Sequence, residues 1–166
     1  MTLVVLVSQA VAQKQSETEQ AKLKFLVGSF MTETTIQGRS KPIKGAGTSV
    51  ITWTLDSAFL LIEEESISPM MGHYKGHGIL GFDTPTHQYM LSMFNNFGDH
   101  PSYKGNFVGD TLVLETKVPM PGKSFDQKLL WYKDGDRVKL KVQNDMGNGF
   151  VTVIDQTSTP ALEKTK

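Results

Sequence analysis

From Gly47 to Thr157 the chain runs through short stretches of mixed apolar and polar residues, broken by a turn signal about every ten residues. Thr48–Leu55 (TSVITWTL), Phe59–Ile67 (FLLIEEESI), Tyr74–Phe82, Gln88–Asn95 (QYMLSMFN) and Tyr103–Val108 each read as a strand. So do Thr111–Val118, Phe125–Tyr132, Arg137–Gln143 and Phe150–Thr157. Gly109-Asp110 predicts a tight type II′ hairpin, because Gly accepts the positive φ required there. Asp134-Gly135 marks another hairpin, and Asp83-Thr84-Pro85-Thr86 a turn in which Pro pre-sets φ. With Leu26–Ile36 added as a first strand, the count is about ten. The prediction is an all-β fold, an antiparallel up-and-down barrel with a short N-terminal helix. A barrel of this length can hold a small molecule.

The helix is expected over Glu17–Phe25, because Ser16-x-x-Glu19 has capping-box spacing ahead of Ala21, Leu23 and Phe25. Gly38–Gly47, with Pro42 and two glycines near its end, reads as a loop. Before the helix, Thr2–Val7 is almost wholly apolar and leads to Ala10-Val11-Ala12. An apolar run closing on a small-x-small triplet has the form of a secretory signal, here without the basic n-region. The stretch falls short of the ~20 apolar residues of a transmembrane helix. The expected organisation is a signal over residues 1–12, a polar lead and helix over 13–24, one barrel over 25–158 and a polar tail over 159–166. The expected location is periplasmic or secreted.

Composition narrows the function classes. The chain has 166 residues, enough for one domain with a self-sufficient core. Seventeen basic residues balance seventeen acidic ones, which argues against a nucleic-acid partner and against electrostatic capture by an anionic membrane. No Cys is present, so disulfides, thiolate metal sites and cysteine catalysis are excluded.

Alternation assigns faces. Val138, Leu140 and Val142 point inward on one strand. Phe125, Gln127, Leu129 and Trp131 share a face on the strand before it, and Leu112, Leu114, Thr116 and Val118 on the one before that. Gln127 and Thr116 are out of place in a solid apolar core but suit a wet or ligand-filled cavity, or a rim. Leu60, Leu130 and Tyr132 are expected to face outward. They are apolar for a solvated face, so a homodimer is an alternative function.

Gly72-His73-Tyr74-Lys75-Gly76-His77-Gly78-Ile79-Leu80-Gly81-Phe82-Asp83, followed by Tyr89, and the earlier Leu26-Val27-Gly28-Ser29-Phe30 carry a resemblance. Together they resemble a bacterial family of uncharacterised lipocalin-like proteins, domain of unknown function 1579, over most of Phe25–Thr157. The resemblance implies a calycin-type barrel, often exported, and no established activity. Phe30 stands where the family pattern has Trp, and Met93 and Phe94 follow Tyr89 in place of another Trp. Glycines inside a strand mark a bend, a bulge or a close backbone approach, so Gly76, Gly78 and Gly81 read as the place where the sheet curls.

Candidate chemistry is sparse. His73, His77, His87 and His100 fall in one segment. On a strand His73 and His77 share a face, but roughly 13 Å apart, too far to share one zinc ion. Met70 and Met71 beside His73 are gap-fillers before they are Cu(I) ligands. A haem barrel of the nitrobindin-like kind needs an axial imidazole on the C-terminal strands, and no His follows His100. No metal, cofactor or catalytic set is therefore expected. Glu63-Glu64-Glu65 ends an apolar strand, and alternation turns at least one carboxylate inward. Glu63, Glu65 or Gln127 is expected to orient a ligand, against a lining of Trp53, Tyr74, Tyr89 and Trp131. The leading expectation is an exported barrel binding a small apolar or amphipathic molecule. The alternative is an enzyme using a buried carboxylate with Tyr74 or His77.

Overall fold

A computed structural model of the chain describes residues 16–38 and 40–162. The export signal expected over residues 1–12 lies outside the described residues, as do residues 13–15 of the polar lead and 163–166 of the tail.

Ten strands follow one another: β1 (Gly28–Ile36), β2 (Ile43–Thr54), β3 (Phe59–Ser68), β4 (Gly72–Asp83), β5 (Gln88–Asn95), β6 (Ser102–Val108), β7 (Thr111–Met120), β8 (Lys123–Asp134), β9 (Arg137–Asp145) and β10 (Phe150–Pro160). Each pairs antiparallel with its sequence neighbours, and β1 pairs with β10, so the sheet closes. The predicted up-and-down barrel is what forms. Closure gives every strand two partners and leaves no edge open to another chain. The predicted hairpin turns form as well, with positive φ at Gly109 and Gly135.

Three local expectations are corrected. β2 begins at Ile43, not Thr48, because Gly45 and Gly47 are strand residues rather than loop residues. They permit close approach to β3: a Cβ on Gly47 would collide with the Glu65 carbonyl oxygen and come within 2.6 Å of the Ser66 Cβ. The phase of β3 is the opposite of the one expected. Leu60 and Ile62 are fully buried and Leu61 half-buried, so Leu60 faces inward and Glu64 lies on the same inner face. Finally, β10 runs three residues beyond Thr157, to Pro160 opposite Phe30.

The glycines of β4 also have a more specific reason than curvature. The Tyr74 ring lies over Gly76, the Met93 sulfur over Gly78, and the Phe59 ring over Gly81. Each is a place where a neighbouring side chain takes the volume of a missing Cβ.

One end of the barrel is plugged. A helical turn over residues 16–21 runs into a 3-10 helix, Lys22–Leu26. Its Leu23 and Leu26 are completely buried among Phe30, Ile51, Leu60, Leu80 and Leu112. Burying each leucine contributes about 1.5–3 kcal/mol. The expected capping box does not hold Glu19, whose carboxylate meets Lys22 Nζ at 2.7 Å and accepts from the Tyr89 hydroxyl at 2.8 Å. The same hydroxyl is 2.8 Å from the Glu19 carbonyl oxygen. Gln20 donates to the Ala58 carbonyl at 2.8 Å, tying the helical segment to the β2–β3 turn, where Leu55, Asp56 and Ser57 all take positive φ.

Candidate functional site

Beyond the plug the inner face changes character. Strand pairing puts Thr34, Ser49, Glu64, Tyr74, Asn95, Tyr103, Gln127 and Gln156 on inward positions, where the plugged end has leucine and phenylalanine. All of these but Ser49 line a cavity of about 230 Å³. Leu91, Met93, Leu129, Trp131, Leu140 and Val142 form an apolar wall. Met71 and Pro101 stand at the end away from the plug, in the β3–β4 and β5–β6 connections. An apolar wall with a few fixed polar groups is the usual make-up of a small-molecule pocket.

Two hydrogen-bonded chains organise the polar part. Tyr103 donates to Gln127 Oε1 at 2.7 Å, and Gln127 Nε2 donates to Asn144 Oδ1 at 2.9 Å. Thr34 donates to Gln156 Oε1 at 3.2 Å, and Gln156 in turn hydrogen-bonds the Glu64 carboxyl. These partners satisfy groups that would otherwise be costly inside a barrel.

Glu64 is the chemically distinctive residue. Part of its surface remains accessible, and that surface lines the cavity. Burial pushes its carboxyl above the usual carboxylate range, with the Gln156 hydrogen bond pulling the other way. Its cross-strand neighbours are small, Ser49 on β2 and Gly76 on β4. The Ser49 side chain is buried and its Oγ has no hydrogen-bond partner among the described residues. Tyr74 leans over Gly76, and its phenol is pushed upward, first by burial and then by the nearby Glu64 charge. Burial alone pushes the Tyr103 phenol up to about 12. Both phenols therefore stay neutral at physiological pH.

The expected site residues divide. Tyr74, Gln127 and Trp131 line the cavity together. Glu63 and Glu65 do not turn inward: both carboxylates lie on the outer surface, Glu65 2.5 Å from His73 Nε2 and 3.3 Å from Lys75 Nζ, Glu63 3.6 Å from His77 Nδ1. The middle glutamate takes the inward place because Leu60 and Ile62 set the phase. His77 is therefore on the wrong side of the sheet to assist a buried carboxylate. Trp53 and Tyr89 belong to the packed plug end, where Tyr89 stacks edge-on with Phe82 and Phe107 at 5.2 and 5.3 Å. Sequence reading missed Glu64, Ser49, Asn144 and Gln156. The signal for Glu64 was the two-residue offset from Ile62; nothing local marked the others. Among the described residues no three His, Asp or Glu side chains gather as a metal site, and no helix is long and apolar enough to cross a membrane.

Comparison with known proteins adds family and fold. Residues 15–154 match the model of a family described as a protein of unknown function, DUF1579. No curated protein matches the chain. Among solved structures, the crystal structure of Rv2717c from M. tuberculosis is similar, with 16% identity and a TM-score of 0.61 over 85% of this chain and 98% of that one. At that identity the likeness is one of fold.

Proposed function

This chain belongs to DUF1579, a family of unknown function, and on that footing we propose that its barrel binds a small apolar or amphipathic molecule in the interior cavity. The observation that carries this reading is the space of about 230 Å³ inside the barrel, lined both by apolar side chains and by hydrogen-bonded polar groups. Packing alone gives no reason to place a carboxyl, three amides and two phenols inside a barrel, since each costs free energy to desolvate. Trp131 and Leu140 supply contact area. The polar chains fix orientation. The apolar N-terminal run ending in Ala10-Val11-Ala12 supports an exported carrier.

Native mass spectrometry of protein purified gently from its own source tests the reading. Added mass that is lost on denaturation is the expected result. The Ser66→Phe variant, which places a ring against the cavity lining, should emerge without it. A wild-type spectrum of bare polypeptide alone would overturn the carrier reading. A second reading rests on Tyr74 and Glu64: a carboxyl raised by burial beside a phenol could act as a general acid. Turnover of the released molecule, lost in Glu64→Gln, would distinguish an enzyme from a carrier.

A further inference from the structure

We propose that the cavity selects a small organic cation, an amine whose ammonium group seats on Glu64 and whose apolar part lies against Trp131 and Leu140. This inference rests on the binding reading above and specifies its ligand class.

The charge inventory of the interior leads there. No Lys, Arg or His is among the described residues that line the cavity. The carboxyl that faces into it is Glu64. Glu65 also touches the lining, but its carboxylate is held on the outer surface by His73 and Lys75. Tyr74 and Tyr103 are the other titratable groups, and both are neutral. An anionic ligand would therefore find no countercharge, while a cation finds one. Asp99, which accepts from Asn95 Nδ2 at 3.3 Å in the β5–β6 loop, is close enough to raise the Tyr74 phenol and adds negative potential at the mouth.

Hydrogen bonding agrees with charge. Gln156 meets one carboxyl group that offers about four acceptor sites, so Glu64 has capacity to spare. An ammonium brings three donors and no acceptor, which matches the acceptor sites that Glu64 still offers to the cavity. The Thr34–Gln156 chain also runs its donors toward Glu64, leaving acceptors at that end of the cavity.

Size sets the rest of the molecule. An apolar cavity of ~150 Å³ accommodates benzene. At about 230 Å³ this one admits a single ring with a short chain. Phenethylamine, phenethyl alcohol and phenylacetic acid are a matched series of that size carrying positive, neutral and negative heads.

Titration calorimetry of the three against the purified full chain tests the proposal, with tryptophan fluorescence as a second signal. The amine should bind at least ~10-fold tighter than the alcohol, and the acid should show no binding, since an unpaired buried charge is disfavoured. Glu64→Gln should lose the preference for amine and keep its affinity for alcohol. In wild type, amine binding should release protons, seen as heats that depend on the buffer's ionisation enthalpy. That measurement needs no variant. Equal affinity for amine and alcohol, or an amine affinity untouched in Glu64→Gln, would overturn the cation proposal and leave the cavity as a site for neutral molecules. If none of the three binds, the cation proposal also fails, and the carrier reading is then decided by the native mass spectrum.

Discussion

Tyr89→Phe removes one oxygen from a side chain that is 1% exposed and leaves its ring contacts intact. The hydroxyl lies 2.8 Å from both the Glu19 carbonyl oxygen and the Glu19 carboxylate. It has one hydrogen, so one shared bond is lost, not two. A neutral hydrogen bond contributes about 0.5–1.5 kcal/mol net and one to a charged group about 1.5–3. Shared between the two acceptors, and with the carboxylate still held by Lys22, the loss should be ~1–2 kcal/mol. In a domain of this size each kcal/mol lowers Tm by ~2–4 °C, so the expected fall is about 2–8 °C at pH 7. Thermal unfolding followed by circular dichroism measures it, with Tyr132→Phe on the outer face as control. Acid should narrow the gap. Lys22, and to a lesser degree Tyr89, hold the Glu19 carboxyl below its ordinary range against the opposing effect of burial. A depressed carboxyl stabilises the fold above its unfolded pKa, and that stability is lost as pH falls through the folded value. The difference between Tyr89→Phe and wild type should therefore shrink below about pH 4. A fall of less than ~1 °C at pH 7, or an equal fall in Tyr132→Phe, would refute the latch between helix and barrel.

Two further outcomes follow from burial and close approach. Glu64 has the opposite sign from Glu19: burial raises its carboxyl, so its contribution is complete below the unfolded pKa and is lost as pH rises through the folded one. Glu64→Gln should match wild type in Tm near pH 4 and exceed it as pH rises above the ordinary carboxylate range; parallel profiles would mean the carboxyl is hydrated. Gly105→Ala should cost about 1–3 kcal/mol in denaturant unfolding, because its Cβ would strike the paired backbone of Val113 and Leu114. Gly78→Ala should cost less, since there the obstruction is the Met93 thioether, which can turn into the cavity. A reversed order would show that the Met93 side chain is locked.

Much of this was readable along the chain, and the failures share a cause. β9 alternates Val138, Leu140 and Val142 with charged or polar residues, so its face was unambiguous. β3 opens with Phe59, Leu60, Leu61 and Ile62, four apolar residues in a row, which carry no phase. A one-residue slip then moved the inward carboxylate from Glu64 to Glu63 and Glu65. Gln127 was found because Leu129 and Trp131 fix its strand. Gln156 was not, because a bulge between Thr152 and Ile154 shifts the register of β10 ahead of it. Gly45 and Gly47 sit in a segment whose small residues resemble a loop and become strand only through contact with β3. Alternation specifies the face of a strand where one side is apolar throughout. It loses that power where the interior is built to be polar, which is the part of this barrel that holds the cavity.

The seam between β1 and β10 has a consequence in time. Thr34 and Gln156, the residues that meet across it, are separated by 122 positions, and β10 is the last strand to be synthesised. Closing so long a loop carries a large entropic cost and makes seam formation slow relative to the local hairpins. Until it forms, β1 has an unpaired edge and Glu64 lacks the Gln156 amide. On the ribosome, nine strands can be in place while the interior still lies open to water. The step that seals the sheet is also the step that surrounds the acid, so in a newly made chain the cavity itself comes into being only with the final strand.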